Sequence, residues 1–507
     1  MKATEAYTDL KKRMREIAIL RSTEGVLWWD QEAYLPERGS DHRAEQTAQL
    51  NRIAHEWFTD PRVGEWIGLI EESELVADPE SDAAVNVREW RRHYDRETKL
   101  PGDLVAEFAR VTSKASAVWA EARKRSDFGA FKPHLQEIIE LCRKKADLIG
   151  FTTEPYDALL DEFEPGAKAA DIEAVFAGLR SDLTELVGKI ANAPSKPNIA
   201  LLRQPYDPAR QRVFAEAVGS AIGFNFRAGR FDKAVHPSCN NLGPWDIRIL
   251  TRYYPDDFCE GLTASMHEVG HALYDLTQID DEHWGTPRGE TDSLGIHESQ
   301  SRLWENMVGR SREFWVYFFP QMKRFFPAQT GGATVDDVYG AMNYVAPSFI
   351  RVEADEATYN LHVMLRFELE RAIIEGDLAV ADIPAEWNRR FHDYLGIEVD
   401  CDANGCLQDV HWSHGIFGYF PTYALGNLYA AQFWRQAQRD LPTMKQDLAQ
   451  GTFGPLREWL GENIHRQGSK YLAADLCRRL TGEPLSSRPL LDYLYEKYAE
   501  IYDVSRG

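Results

Sequence analysis

Met266-His267-Glu268-Val269-Gly270-His271-Ala272-Leu273 reads H-E-x-x-H inside a run with helical character. On an α-helix, residues four apart lie one turn apart on the same face, so His267 and His271 can offer two imidazoles to a single ion. Glu268 projects beside them and is placed to take a proton from a water activated at that ion, the general-base role of metallopeptidases. Ala264, Met266, Val269, Ala272, Leu273 and Leu276 make much of this helix apolar, which predicts a substantially buried motif. Burying two imidazoles and a carboxylate without partners costs on the order of several kcal/mol, whereas an ion satisfies all three.

Working outward, a loop over Asp280–Pro287 is expected after the motif helix, and Gly295-Ile-His297-Glu298-Ser-Gln300-Ser-Arg302-Leu-Trp-Glu305 reads as a returning helix. Glu298 lies 27 residues beyond His271, the separation of a helix, a turn and a helix coming back. A carboxylate there completes two histidines and one glutamate and leaves the fourth position of a zinc site for water. Glu305 and His297 are rival ligands. Glu298 is preferred because His297 and Gln300 can then serve as supporting or substrate-binding groups.

Residues 3–58 carry helical spacing, through Leu10, Met14, Ile17, Ala18 and Leu20 and then Ala44, Ala48, Leu50 and Ile53, with Leu35-Pro36 as the break. Trp28 and Trp29 between the stripes read as core anchors. Long amphipathic helices follow over 80–150, with Pro101 and Pro133 at expected helix starts. A helix ends near Tyr156–Leu160 and another begins near Ala169. A small sheet is expected within 199–254, where Phe224–Phe226 and Ile247–Tyr253 alternate as strands do; a strand there can border the site and hold an extended peptide. Val345–Leu369 reads as one long helix bearing Arg351, which if buried is the natural fork for a carboxylate. From Gly405 to Tyr423, glycines, aromatics and the side chains of Gln408, His411, Tyr419 and Tyr423 predict a loop shaped against a ligand.

The chain holds 507 residues with 58 Lys and Arg against 80 Asp and Glu, a net charge of −22 spread along its length. That surface repels phosphate backbones, so nucleic acid is not an expected partner. No apolar run reaches bilayer length, and the charged start MKATEAYTDLKKRMREIAIL is unlike a signal peptide; a cytoplasmic protein with no membrane partner is expected. Six dispersed cysteines, Cys401 and Cys406 among them, read as free thiols. The short Ala193–Asn198 stretch is the best linker, yet composition does not change across it, so residues 1–507 are expected to form a single domain.

Taken together, Trp29-Asp30, Leu35-Pro36, Tyr156-Asp-Ala-Leu-Leu160, His236-Pro237, Asp246-x-Arg248, His267-Glu-x-x-His271, His297-Glu-Ser-Gln300, Ile350-Arg351-x-x-Ala354-Asp355 and Gly405-x-x-Gln408-Asp409-x-His411-Trp412 resemble the carboxypeptidase Taq family, across essentially the whole chain. The resemblance implies a mainly α, two-lobed, saddle-like homodimer akin to neurolysin, with a deep groove and a small sheet beside it. It also implies zinc, with cobalt as a substitute, and broad release of C-terminal residues from peptides with poor cleavage of a terminal proline. Carried over by motif, His267, His271 and Glu298 hold the metal and Glu268 is the base, while Arg351, His236, Arg248, Gln408 and His411 surround the substrate. Two motifs depart from the family pattern: His236-Pro237-Ser238 lacks the usual phenylalanine, and Asp246-Ile-Arg248-Ile-Leu250 lacks the usual threonine. Both are associated with closing the groove, so the departures bear on substrate length and not on the metal chemistry.

The chemistry expected is attack of water, deprotonated by Glu268, on the last peptide carbonyl, with proton return to the leaving amine. His411 with Tyr419 or Tyr423 is expected to stabilise the oxyanion. The rivals are an endo-acting oligopeptidase, a di-metal oxidase using Glu462-Asn-Ile-His465 as a second motif, and a metal-free peptide-binding scaffold.

Overall fold

The computed structural model describes residues 1–278 and 281–504. The chain is mainly α-helical with one small sheet. Its first helix, Ala3–Ala33, buries Ala6, Leu10, Met14 and Ile17 at three- and four-residue spacing against Val63, Ile67, Ile70, Val87 and Trp90. Leu35-Pro36 ends it as expected, and Ser40–Phe58 folds back alongside. A second, much larger core runs continuously from Leu104 to Val504. Of the two tryptophans read as core anchors, only Trp29 is buried, where its indole N–H donates to Asp232 at 3.2 Å; Trp28 is 40% exposed.

Three other expectations are corrected. Phe224–Phe226 is not a strand: the two rings pack on each other and on Phe231, so the alternation reflects an aromatic cluster. Pro133 lies inside the helix Phe128–Ile149 and does not start it; Asp127 caps that helix by accepting from Ala130 N–H. The helix expected from Val345 begins only at Tyr359. Pro347 disfavours helix before it, and Asp355 Oδ1 accepts the N–H groups of Ala357 and Thr358, leaving Arg351–Glu353 as a single 3-10 turn. The loop expected to open at Asp280 has that residue outside the described ones, and turns begin at Asp281.

The sheet orders its strands β1 (Gly229–Lys233), β3 (Ile247–Thr251), β2 (Ser238–Asn241), with β3 parallel to β1 and antiparallel to β2. Ile247, Ile249 and Leu250 of β3 are fully buried, and the motif helix, Phe258–Gln278, lies across β3 and β2. The returning helix, Leu294–Arg302, continues directly into a π-helical turn at Leu303–Val308. It sits between the motif helix and a long helix, Pro421–Asp440. Glycine permits both approaches. A Cβ on Gly270 would stand 2.6 Å from Ser301 Cα and 2.7 Å from the Gln300 carbonyl, and one on Gly426 would collide with the Glu298 side chain.

Among the described residues no helix is long and apolar enough to cross a membrane. All six cysteines are free, as expected.

Candidate active site

The motif helix buries Met266, Val269, Gly270, Ala272 and Leu273, which aims His267, Glu268 and His271 at the returning helix. That helix is fixed at its start. Ser293 caps it by accepting from Ile296 N–H, and the buried Glu164 carboxylate accepts from the Ser293 hydroxyl at 2.8 Å and from Gly295 N–H at 3.0 Å.

Glu298 Oε2 lies 3.5 Å from His267 Nε2 and 3.5 Å from His271 Nε2. Bonds of about 2.0–2.1 Å in a tetrahedral site set neighbouring donor atoms about 3.3 Å apart, so this spacing fits a zinc-sized ion. The protonation states fit as well. Burial pushes His271 down to about 3, leaving a neutral imidazole. Burial works against the Glu298 carboxylate, but the Arg302 guanidinium and the two histidines hold its acid well below the usual range. Arg302 Nε donates to Glu298 Oε1 at 2.7 Å, which leaves Oε2 as the atom facing the imidazoles.

The two rival ligands stand behind this group. Glu305, on the π turn, meets His267 Nδ1 at 2.9 Å, on the far side of the ring. Its acid is held down to about 2, with burial outweighed by Arg302 and His267. His297 meets His271 Nδ1 at 2.5 Å through its own Nδ1, and its Nε2 lies 3.1 Å from Asp275 Oδ1. Both ring nitrogens of His297 are therefore engaged within the protein. Gln300 is fully buried and its Oε1 faces His465 Nε2 at 2.9 Å. That contact takes the histidine of the supposed second motif, so Glu462 and His465 do not form a second metal site.

Glu268 is buried, and that burial raises its acid to about 7, opposed by His267 and reinforced by Glu298 and Glu305. Cys239 on β2 stands in the field of Asp275 and Glu268, which places this edge strand beside the motif; burial first, then those charges, keeps its thiol protonated and excludes a thiolate nucleophile.

A second cluster adjoins the first through Tyr359. The Arg302 guanidinium lies 4.1 Å from the Tyr359 ring centroid, and Arg351 Nη1 donates to the Tyr359 hydroxyl at 3.1 Å. Arg351 is only 4% exposed. Its Nε and Nη2 donate to Asp409 Oδ1 at 3.1 and 2.9 Å, and its plane lies 4.8 Å from the Tyr423 ring. Arg366, fully buried, donates from Nε to Asp409 Oδ2 at 2.6 Å. Gln408 is turned to the backbone: Oε1 accepts from Arg351 N–H, and Nε2 donates to the carbonyls of Phe349 and Asn404. It holds the turn that carries Arg351.

His411 packs its ring on Phe420 and Tyr419, lies with Nδ1 4.0 Å from Asp409 Oδ1 and without a hydrogen-bond partner there among the described residues, and is pushed down to about 4 by burial. Burial, and after it neighbouring charges that include Glu298, raises the phenols of Tyr419 and Tyr423, so both stay protonated donors next to the ion-binding group. His236 is exposed on the β1–β2 loop, and Arg248 is paired with Asp246 and stacked 4.2 Å from the Trp29 ring. Neither contacts the His267, His271 and Glu298 group among the described residues. A cavity of about 630 Å³ opens from His297 and Asp275 toward the first helix, where Arg21 and Met14 line it.

Arg302, Tyr359, Arg366 and Asp275 escaped the sequence reading. Asp275 carried a signal, since it lies one helical turn past His271 and extends the motif to H-E-x-x-H-x-x-x-D.

Comparison with known proteins follows the same lines. The family model described as carboxypeptidase Taq (M32) metallopeptidase matches residues 9–498. Thermostable carboxypeptidase 1 of Thermus thermophilus is 46% identical over 507 residues, covering 98% of this chain and 99% of that protein. Carboxypeptidase 1 of Bacillus subtilis is 37% identical over 496 residues, covering 98% of each. The crystal structure of an M32 carboxypeptidase from Deinococcus radiodurans R1 superposes with a TM-score of 0.95 at 38% identity, covering 99% of this chain and 100% of that one.

Proposed function

The chain belongs to the carboxypeptidase Taq (M32) family and is a metallocarboxypeptidase, and on that premise we propose that it releases single C-terminal residues from peptides at the His267, His271 and Glu298 site. The observation that carries the reading is a charge count. Arg351 and Arg366 are both buried against one carboxylate, Asp409, while His411 and His362 are held neutral by burial. Among the groups bonded to Asp409 one positive charge is left over, Glu370 beside Arg366 having its own acid raised to about 7 by burial, and a substrate's terminal carboxylate supplies the missing negative one. Tyr359 joins this pocket to Arg302, the anchor of Glu298, which supports a reading in which the bond one residue from the terminus is presented to the ion site.

A divalent ion, zinc in this reading and cobalt as a substitute, supplies Lewis-acid polarisation of the carbonyl and an acidified water when bound. His267 and His271, through Nε2, and Glu298, through Oε2, would hold it. Glu268 takes the proton of the attacking water and returns it to the leaving nitrogen. Tyr419, Tyr423 and His411 face the developing oxyanion as donors. The free edge of β2 offers backbone groups to the extended peptide, and the cavity beyond His297 takes its N-terminal part. A terminal proline is cut poorly because it brings a ring and no amide N–H to the scissile bond. In this reading residues 1–507 act as one domain within a saddle-like homodimer, and His236 and Arg248, away from the ion, meet only longer substrates.

Mass spectrometry of a short free-acid peptide and its C-terminally amidated twin tests the reading. Loss of single terminal residues from the free acid alone, abolished by a chelator and restored by zinc or cobalt, is the expected result. Equal internal cleavage of both peptides would establish an oligopeptidase instead.

A further inference from the structure

His267, His271 and Asp275 stand at successive helical turns, so one face of the motif helix carries two imidazoles and then a carboxylate. Glu305 acts on His267 directly, at Nδ1. Among the described residues no carboxylate meets His271 at Nδ1, which faces the Nδ1 of His297 at 2.5 Å. Between two facing imidazole nitrogens only one can carry the shared hydrogen, and which one does so decides whether His271 can bind an ion.

The hydrogen's position follows from the other end of His297. Asp275, 7% exposed, presents Oδ1 to His297 Nε2 at 3.1 Å, and a carboxylate only accepts. His297 must therefore carry its hydrogen on Nε2. When that is the only hydrogen His297 carries, its Nδ1 is an acceptor, His271 Nδ1–H donates to it, and the lone pair of His271 Nε2 is left facing Glu298 Oε2. Without Asp275, the opposite arrangement becomes available: His297 donates from Nδ1, and the hydrogen of His271 moves to Nε2, where it blocks the ion. The ring of His297 has little room to escape, since it lies 4.5 Å from His271 and 5.1 Å, edge to face, from Tyr274.

We propose that Asp275 is a positioning residue that fixes the ion-binding tautomer of His271 through His297, so that each histidine of the motif is set by a carboxylate, one directly and one at second hand. The proposal rests on the metal reading above. It also removes His297 from the substrate-binding residues, because both of its nitrogens are occupied.

Zinc affinity, by competition with a chromophoric chelator, and the His271 tautomer, by nitrogen-15 NMR of the metal-free protein, test it together. Asp275→Ala is expected to bind zinc 10- to 100-fold more weakly and to move His271 from Nδ1–H toward Nε2–H. Asp275→Asn, which keeps an acceptor oxygen, is expected to recover most of the loss. His297→Leu, lacking any acceptor for His271, should repeat the Ala result and serves if Asp275→Ala does not fold. Wild-type affinity in Asp275→Ala would overturn the proposal, as would weakened binding with an unchanged tautomer, which a merely structural role predicts. Wild-type protein that binds no zinc would overturn the metal reading itself, and this proposal with it.

Discussion

Replacing Arg351 by Met changes the charge of the carboxylate pocket while sparing its packing. Asp409 keeps its 2.6 Å bond from Arg366, the Gln408 bond to the backbone N–H of residue 351 survives, and the cluster falls from one net positive charge to none. Removing one partner of a buried ion pair is costly when it strands the other charge, but here Asp409 stays paired with Arg366, so folding should not suffer greatly. Catalysis should. Of the five N–H groups on the guanidinium, three are engaged with Asp409 and Tyr359, which leaves two for a substrate carboxylate. Two hydrogen bonds to a charged group, at about 1.5–3 kcal/mol each, amount to about 3–6 kcal/mol. At 1.36 kcal/mol per decade, kcat/KM on a free-acid peptide should fall by about 10²- to 10⁴-fold. The assay is kcat/KM for the free acid beside its amidated twin, with a denaturation curve for each protein. A loss under threefold on the free acid, or an equal loss on both peptides, would refute the charge argument.

Glu268→Gln should lower turnover by about 10²- to 10⁴-fold while metal content, measured by plasma mass spectrometry, stays at the wild-type level. Glu305→Ala removes the partner of His267 Nδ1 and should weaken zinc binding by about 10- to 100-fold in chelator competition. Glu164, 2% exposed, has its acid pushed up to about 7 by burial against the opposing bonds from Ser293 and Gly295. The folded state therefore keeps a proton that the unfolded chain releases near its ordinary value of 4.5. Stability should fall by roughly 3 kcal/mol as pH rises from about 4.5 to 7, then level off. Glu268, raised to about 7 as well, adds a slope of the same sign, so Glu164→Gln should lessen the fall in stability between pH 5 and 8 by roughly 2–3 kcal/mol in chemical denaturation, and an unchanged slope would assign all of it to other groups.

Helical spacing made the first two helices readable, and the H-E-x-x-H motif with a carboxylate one hairpin away pointed to His267, His271 and Glu298, whose donor atoms the fold brings within 4.8 Å of one another. These features are local, or are joined by a single turn. The misreadings came where side chains overrode pattern. Asp355 captured backbone N–H groups that periodicity had assigned to a helix, and Phe224 and Phe226 alternated because they join Phe231 in a ring cluster. Gln408 carries hydrogen-bonding groups that suit a substrate equally well, and only the fold shows them turned to backbone. The pairing of Arg351 and Arg366 on Asp409 joins residues up to 58 positions apart, so no spacing rule finds it.

Gly270 and Gly426 let two helices close on the backbone and side chain around Glu298. A side chain at either position would push these helices apart and with them the groups that face one another across the seam. The two glycines thus set the separation of the candidate donor atoms, and Gly270→Ala or Gly426→Ala is expected to lower zinc affinity in chelator competition.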